Sequence, residues 1–241
     1  MKNYLSINNL SFEYPDGYKA LNNISLNLNE KERLGILGPN GAGKTTTFYT
    51  IAGLIKSDKG KIFLGNEDLT KLPMHERSKL GIKYLPQEPS IFLDLTVKEN
   101  LLGLAELSYN SEQKIKDFLD KSIEDFGLQD ILKSKGRQLS GGQRRKVEIA
   151  RTLAADPKII LLDEPFAGID PIAVEEIKEL LLEISKKNIS ILITDHNVRE
   201  TLSLCNRAII LNEGSIIAEG NEKSLKENSY VQKKYFGKLF S

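Results

Sequence analysis

A chain of 241 residues is long enough for one large α/β domain with a sizeable core. Its 34 Lys and Arg against 33 Asp and Glu leave a net charge of +1, a balance that gives no sign of a nucleic-acid-binding surface. The single cysteine, Cys205, excludes an intrachain disulfide; no apolar run approaches the roughly 18 residues of a bilayer crossing, and Met1-Lys2-Asn3-Tyr4 starts no hydrophobic signal core, so a cytoplasmic location is expected.

Alternating, β-rich segments open the chain at Tyr4–Tyr14, Ala20–Leu28 and Arg33–Leu37, broken by Pro15-Asp16-Gly17, and suit an antiparallel sheet beside the core sheet. Next comes Gly38-Pro39-Asn40-Gly41-Ala42-Gly43-Lys44-Thr45, which matches G-x-x-x-x-G-K-[ST] and runs into a helix starting Thr45, Thr46, Thr47, Phe48. Such glycines let the backbone turn so that successive N–H groups point inward at phosphate oxygens. Lys44 adds positive charge for the terminal phosphates, the Thr45 hydroxyl suits Mg²⁺, and the helix start favours the anion further.

A strand is expected at Lys61–Leu64, a short helix near Pro73–Lys79 with His75 facing solvent, and a strand at Ile82–Leu85. From about Thr96 to Ala155 the pattern is mainly helical, with heptad-like apolar spacing at Ile115, Phe118, Leu119, Ile123 and Phe126, broken at Gly127 and Gly136. A helical subdomain of about 88–155, inserted between Gln87 and the second core strand, accounts for this region. Within it, Leu139-Ser140-Gly141-Gly142-Gln143 reads as a helix N-cap, itself an anion site. Ile159-Ile160-Leu161-Leu162 then ends in Asp163-Glu164.

The remainder alternates: strand Lys158–Leu162, helix Ala173–Lys186, strand Ser190–Thr194 and helix Val198–Leu204. Strands Arg207–Leu211 and Ser215–Glu219 follow, joined by Asn212-Glu213-Gly214. That order predicts a mostly parallel core sheet with the nucleotide at its C-terminal edge, in a domain of residues 1–220 carrying a short helical extension, 221–241. One carboxylate for metal and a second for water, adjacent at a strand end, suit phosphoryl transfer, where a protein places water in line and neutralises developing charge. The three motifs in this order say ATP-driven conformational work.

This set resembles the ATP-binding-cassette ATPases over nearly the whole chain, which implies a P-loop, RecA-like α/β core with an N-terminal antiparallel β subdomain and an inserted α-helical subdomain. The resemblance implies a head-to-tail homodimer with two ATP molecules at its interface, each phosphate loop (Gly38, Pro39, Asn40, Gly41, Ala42, Gly43, Lys44, Thr45, Thr46) facing Ser140, Gly141, Gly142 and Gln143 of the other copy. Asp163, with Thr45 and Gln87, would hold Mg²⁺, and Glu164 would orient or deprotonate the attacking water. Gln87 falls where the family senses metal and water, His196 where it contacts the γ-phosphate, Asp170 where a loop meets the partner, and Tyr14 where an aromatic stacks on adenine.

Segments around the motifs narrow the type. Leu85–Phe92, Leu95–Leu101, Arg144–Arg151, Asp163–Pro171, Thr194–Leu202 and the tail Val231–Gly237 are similar to the ATPase subunits of lipopolysaccharide exporters. Those of branched-chain amino-acid importers share much of the pattern, and a non-transport cassette is a further class, although long coiled-coil insertions and a second cassette are missing. Two departures are Gln143, where glutamate is expected in many exporters, and Leu93-Asp94, where basic residues are expected; the second lies where a membrane partner is expected to dock. With no span of its own, a transport ATPase must sit beneath separate transmembrane permease subunits on the inner face of the inner membrane. The segment Gln87–Leu95, with apolar Ile91, Phe92 and Leu95, is the candidate contact.

Overall fold

The computed structural model describes residues 3–237. Strands β1 (Asn3–Glu13) and β2 (Lys19–Asn29) pair antiparallel, with Leu5 opposite Leu28 and Phe12 opposite Leu21. Strand β3 (Arg33–Leu37) corrects the expectation that all three opening segments share one sheet: it runs in the core sheet. Its last four residues are all buried, as a strand covered on both faces requires, whereas β2 alternates between buried and exposed positions.

After β3 come α1 (Lys44–Ala52), β4 (Lys59–Leu64), the two-residue β5 (Glu67–Asp68), α2 (Met74–Lys79) and β6 (Ile82–Leu85). The antiparallel sheet has the order β2-β1-β4-β5. Helices α3 (Val97–Ser108), α4 (Glu112–Asp125) and α5 (Gly141–Leu153) fill the interval before β7 (Ile159–Asp163). Helix α6 (Pro171–Lys186), β8 (Ser190–Thr194), α7 (Val198–Leu204), β9 (Arg207–Asn212) and β10 (Ser215–Gly220) complete the core. The order of that sheet is β10-β9-β3-β8-β7-β6, parallel from β9 to β6 with β10 antiparallel at one edge. The β9–β10 turn uses positive φ at Glu213 and Gly214, which matches the right-handed twist of the strands it joins.

Every residue of β7 and β8 is buried, and apolar side chains pack on both faces of the sheet. On one side Phe48 and Ile51 of α1 meet Ile159, Leu161, Leu192 and the inner face of the antiparallel sheet; on the other, Val147, Ile149, Ile177 and Leu181 cover Ile160, Leu162 and Ile191. Because β3, β6, β7 and β8 all run the same way, Gly38, Gln87, Asp163 and Asp195 emerge at one edge.

The extension comprises α8 (Glu222–Glu227), α9 (Ser229–Val231) and one π-helical turn, Gln232–Phe236; positions 238–241 of the expected tail lie outside the described residues. Leu225, Val231 and Phe236 pack on Leu37, Val198 and Leu202, so the extension leans on the strand entering the phosphate loop and on the helix after His196. Cys205 is half-buried, its thiol pushed up to about 12 by burial. Among the described residues no helix is long and apolar enough to cross a membrane.

Candidate functional site

The phosphate loop closes on itself before α1 begins. Gly43 has φ +100, and a Cβ there would lie 2.4 Å from the Ala20 carbonyl oxygen, so the loop's approach to β2 requires glycine. The Lys44 ammonium sits inside this ring, donating to the carbonyls of Gly38 at 2.8 Å and Pro39 at 3.0 Å. Burial lowers its pKa, opposed by the charges of Glu164, Asp163 and Asp195, which places a cation among carboxylates at the sheet edge. Thr45 is exposed beside it, while the Thr46 hydroxyl is tied to the Tyr14 hydroxyl at 3.2 Å.

Asp163 ends β7 directly opposite Thr194 in the parallel register, and that pairing orients its carboxylate. The Thr194 hydroxyl donates to Oδ1 at 2.6 Å and the Tyr84 hydroxyl to Oδ2 at 3.1 Å. Burial and the neighbouring Asp163 charge raise the Tyr84 pKa, so this phenol stays a donor. The expected set of Thr45, Gln87 and Asp163 supplies only oxygen, a donor type that fits Mg²⁺, and two fixed hydroxyls hold the carboxylate as an ordered second shell would.

Glu164 departs from regular geometry. Its φ is +48, a left-handed conformation that costs a non-glycine residue roughly 1–3 kcal/mol, and its N–H donates to the Thr194 carbonyl at 2.7 Å. The side chain is buried: Oε1 lies 2.6 Å from His196 Nε2, and Oε2 is buried without a hydrogen-bond partner. Burial raises the Glu164 pKa, with His196 opposing and Asp163 adding to the shift. The result is a carboxylate whose proton affinity lies above that of an exposed acid, with one free lone-pair edge, as a general base requires.

Four side chains that the sequence reading did not single out hold this edge together. Asp195 accepts the N–H of Phe166 at 3.0 Å and of Asn197 at 2.7 Å, pinning the loop after Glu164 to the loop carrying His196. Arg145, buried in α5, donates to the carbonyls of Pro86 at 3.0 Å and Asp163 at 3.1 Å and pairs with Glu148 at 3.2 Å. Glu148 accepts the N–H of Ser90 at 2.7 Å, and Arg151 donates to the Ser90 carbonyl at 2.8 Å. Helix α5 therefore grips both the end of β7 and the Gln87 loop. The spacing of Arg145, Glu148 and Arg151 at i, i+3 and i+6 was the available signal, since three charged residues in a row along a helix that is buried nearly all round, with Val147, Ile149 and Ala150, are unusual unless paired.

The start of α5 is the expected capping structure. Ser140 Oγ accepts the Gln143 N–H at 3.2 Å and Gln143 Oε1 accepts the Ser140 N–H at 3.0 Å, a reciprocal box that glutamine completes as well as glutamate. Gly142 must be glycine because a Cβ there would meet the Ala173 Cβ at 2.4 Å, and Gly141 lies against Gly168. Asp170 caps α6 through the Ala173 N–H at 3.0 Å. Gln87, Gly141, Arg145 and Glu164 of one chain border a cavity of about 130 Å³.

The docking expectation needs one correction. Ile91 is only 5% exposed and belongs to the core between the helices and the sheet, whereas Phe92 and Leu95 are 54% and 40% exposed. Asp94, an acid where a base was expected, pairs with Arg137 at 3.0 Å, and the Arg137 N–H donates to the Leu93 carbonyl, so this rim forms a neutralised unit.

Known proteins share this geometry. Residues 21–167 match the ABC transporter family model. The chain is 48% identical over 98% of both chains to the lipopolysaccharide export system ATP-binding protein LptB of Haemophilus influenzae. The crystal structure of the ADP conformation of MJ1267, an ATP-binding cassette of an ABC transporter, superposes with a TM-score of 0.87 at 30% identity, covering 98% of this chain and all of that one. The dimeric structure of MJ0796, a bacterial ABC transporter cassette, superposes with a TM-score of 0.79 at 29% identity, covering 90% of this chain and 98% of that one. With its phosphate loop, its acidic strand end and its capped glycine turn in one fold, the chain belongs to the ABC transporter family and is an ATP-binding cassette.

Proposed function

We propose that this chain hydrolyses ATP as the motor subunit of a lipopolysaccharide exporter, working as a homodimer beneath separate membrane subunits on the inner face of the inner membrane. The reading is carried by the likeness to LptB along nearly the full length of both chains. Backbone amides of the phosphate loop and Lys44 bind the β- and γ-phosphates. Thr45, Asp163 and Gln87 would hold Mg²⁺, which would screen the phosphate charge. Glu164 takes a proton from the attacking water, and His196, beside it, reaches the γ-phosphate. The turn at Ser140, Gly141, Gly142 and Gln143 caps the triphosphate held by the other copy, with Asp170 at the same interface. The dimeric MJ0796 cassette supports a paired arrangement.

Closing two copies on ATP and reopening them after hydrolysis is a two-state change biased by a ligand. Arg145 and Glu148 hold Pro86 and Ser90, which lie on either side of Gln87 and just before the Phe92–Leu95 rim, so motion at the nucleotide reaches the docking surface through one helix.

Lys44→Ala is expected to weaken ATP binding by more than about tenfold, the scale of losing charge-assisted hydrogen bonds. Titration with a fluorescent ATP analogue checks this, and unchanged affinity would remove Lys44 from its role. The cargo assignment is tested by purification in detergent, followed by reconstitution with the membrane proteins that accompany the chain. Proteoliposomes should release labelled lipopolysaccharide only when ATP is supplied. Recovery free of any membrane subunit would sink the transport reading.

A further inference from the structure

Tyr18 stands outside every packed core yet is held firmly at the phosphate loop. It lies in the turn between β1 and β2, where the Tyr14 N–H donates to the Tyr18 carbonyl at 2.9 Å and the Gly17 N–H to the Tyr14 carbonyl at 2.9 Å. The Tyr18 N–H donates to Asp16 Oδ1 at 3.0 Å, and Pro15 and Gly17, at φ +88, restrict the rest, so the backbone beneath this side chain is well determined. The ring is 48% exposed and absent from the apolar clusters, so burial does not explain its position. Its hydroxyl donates to the Gly41 carbonyl at 2.5 Å, at the tip of the phosphate loop. Its ring lies nearly parallel to that of Tyr14, 15° apart with centroids separated by 6.3 Å. The Tyr14 hydroxyl, in turn, is tied to Thr46 in the helix that follows the loop.

Two nearly parallel aromatic rings, one anchored by its hydroxyl to the tip of the phosphate-binding loop and the other to the helix that follows it, stand next to each other beside the place where a triphosphate is held. We infer that Tyr18 is a second nucleotide-positioning residue, which extends the Tyr14 ring into an aromatic platform for the purine base of ATP and steadies the loop tip through Gly41. The inference rests on the reading of Tyr14 as the base contact. Stacking on an aromatic ring depends on the base, whereas phosphate binding does not, so the two contributions separate by choice of ligand.

The test measures affinities of MgATP and of magnesium tripolyphosphate for the full chain and for Y18A, Y18F and Y14A, by calorimetry. Y18A should weaken ATP by about tenfold, within the range of stacking energies measured by alanine substitution, and tripolyphosphate by less than about threefold. Y18F, which keeps the ring, should retain ATP affinity within about threefold of the parent. Unchanged ATP affinity in Y18A, with Y14A weakened, would overturn the role of Tyr18 and leave that of Tyr14 standing. Unchanged affinity in both variants would overturn the Tyr14 reading and this inference with it. Equal losses of ATP and tripolyphosphate in Y18A would also overturn it, leaving Tyr18 a support of the loop alone.

Discussion

Glu164→Gln is expected to bind ATP as the parent does and to lower turnover by about a thousandfold, within the range of general-base catalysis. The substitution keeps shape and removes the proton acceptor. Two features of the site make the loss specific to chemistry. The backbone at Glu164 is held in its left-handed conformation by the hydrogen bond to Thr194, which glutamine retains. The side chain also has one oxygen against His196 and the other free of protein partners, so an amide can occupy the same space. The variant should therefore accumulate in a closed, ATP-bound dimer, visible by size-exclusion chromatography with ATP and Mg²⁺.

The pH profile gives an independent readout. Burial raises the Glu164 pKa, so its carboxylate is protonated at a higher pH than that of an exposed glutamate. A base works only when deprotonated. Turnover should thus fall as pH is lowered, with a midpoint above the ordinary value of about 4.3. Single-turnover hydrolysis near the parental rate in the glutamine variant would remove Glu164 from its role.

Glu148→Ala should be the most damaging substitution for stability. It leaves the Arg145 cation buried without its partner and strips the acceptor from the Ser90 N–H. Breaking a buried pair by deleting one side costs about 3–5 kcal/mol, which in a domain of this size lowers Tm by about 10 °C. Thermal unfolding by circular dichroism checks this, and a shift within about 2 °C would show that the pair adds little. The double variant Arg145→Met with Glu148→Leu separates stability from mechanism. An apolar pair of similar volume should recover much of the lost stability, because neither charge is then buried alone. ATP turnover should stay low, since the links from α5 to the Pro86 and Asp163 carbonyls are gone.

The chemistry that lies along the chain was legible before the fold. A phosphate loop is a run of backbone conformations, and its glycines and Lys44 declare it within eight residues. The cap at Ser140 and Gln143 spans four positions, and the strand end at Asp163-Glu164 two. The parallel sheet and the helical insertion followed from periodicity, with the strands Ile82–Leu85 and Ser190–Thr194 placed to the residue. Strand β3 was misassigned because five apolar-rich residues have no long pattern; burial on both faces, which only the assembled sheet creates, decides its place.

What remained hidden depends on residues distant in the chain. Thr194 orients Asp163 across 31 positions, Tyr84 does so across 79, and Tyr18 reaches Gly41 across 23. Each of these contacts is set by the register of one strand or turn against another, which no local spacing encodes. Ile91 and Phe92 are neighbours of like hydrophobicity, yet one fills the core and the other faces outward, since the Glu148 and Arg151 grip on Ser90 fixes the direction of the chain there. The residue types proposed for the phosphate, metal and water contacts were therefore written in order along the chain. The orientation of Asp163, the proton affinity of Glu164, and the grip of α5 on Pro86 and Ser90 to either side of Gln87 came from burial and from pairing between distant elements, which arise only when the sheet is built.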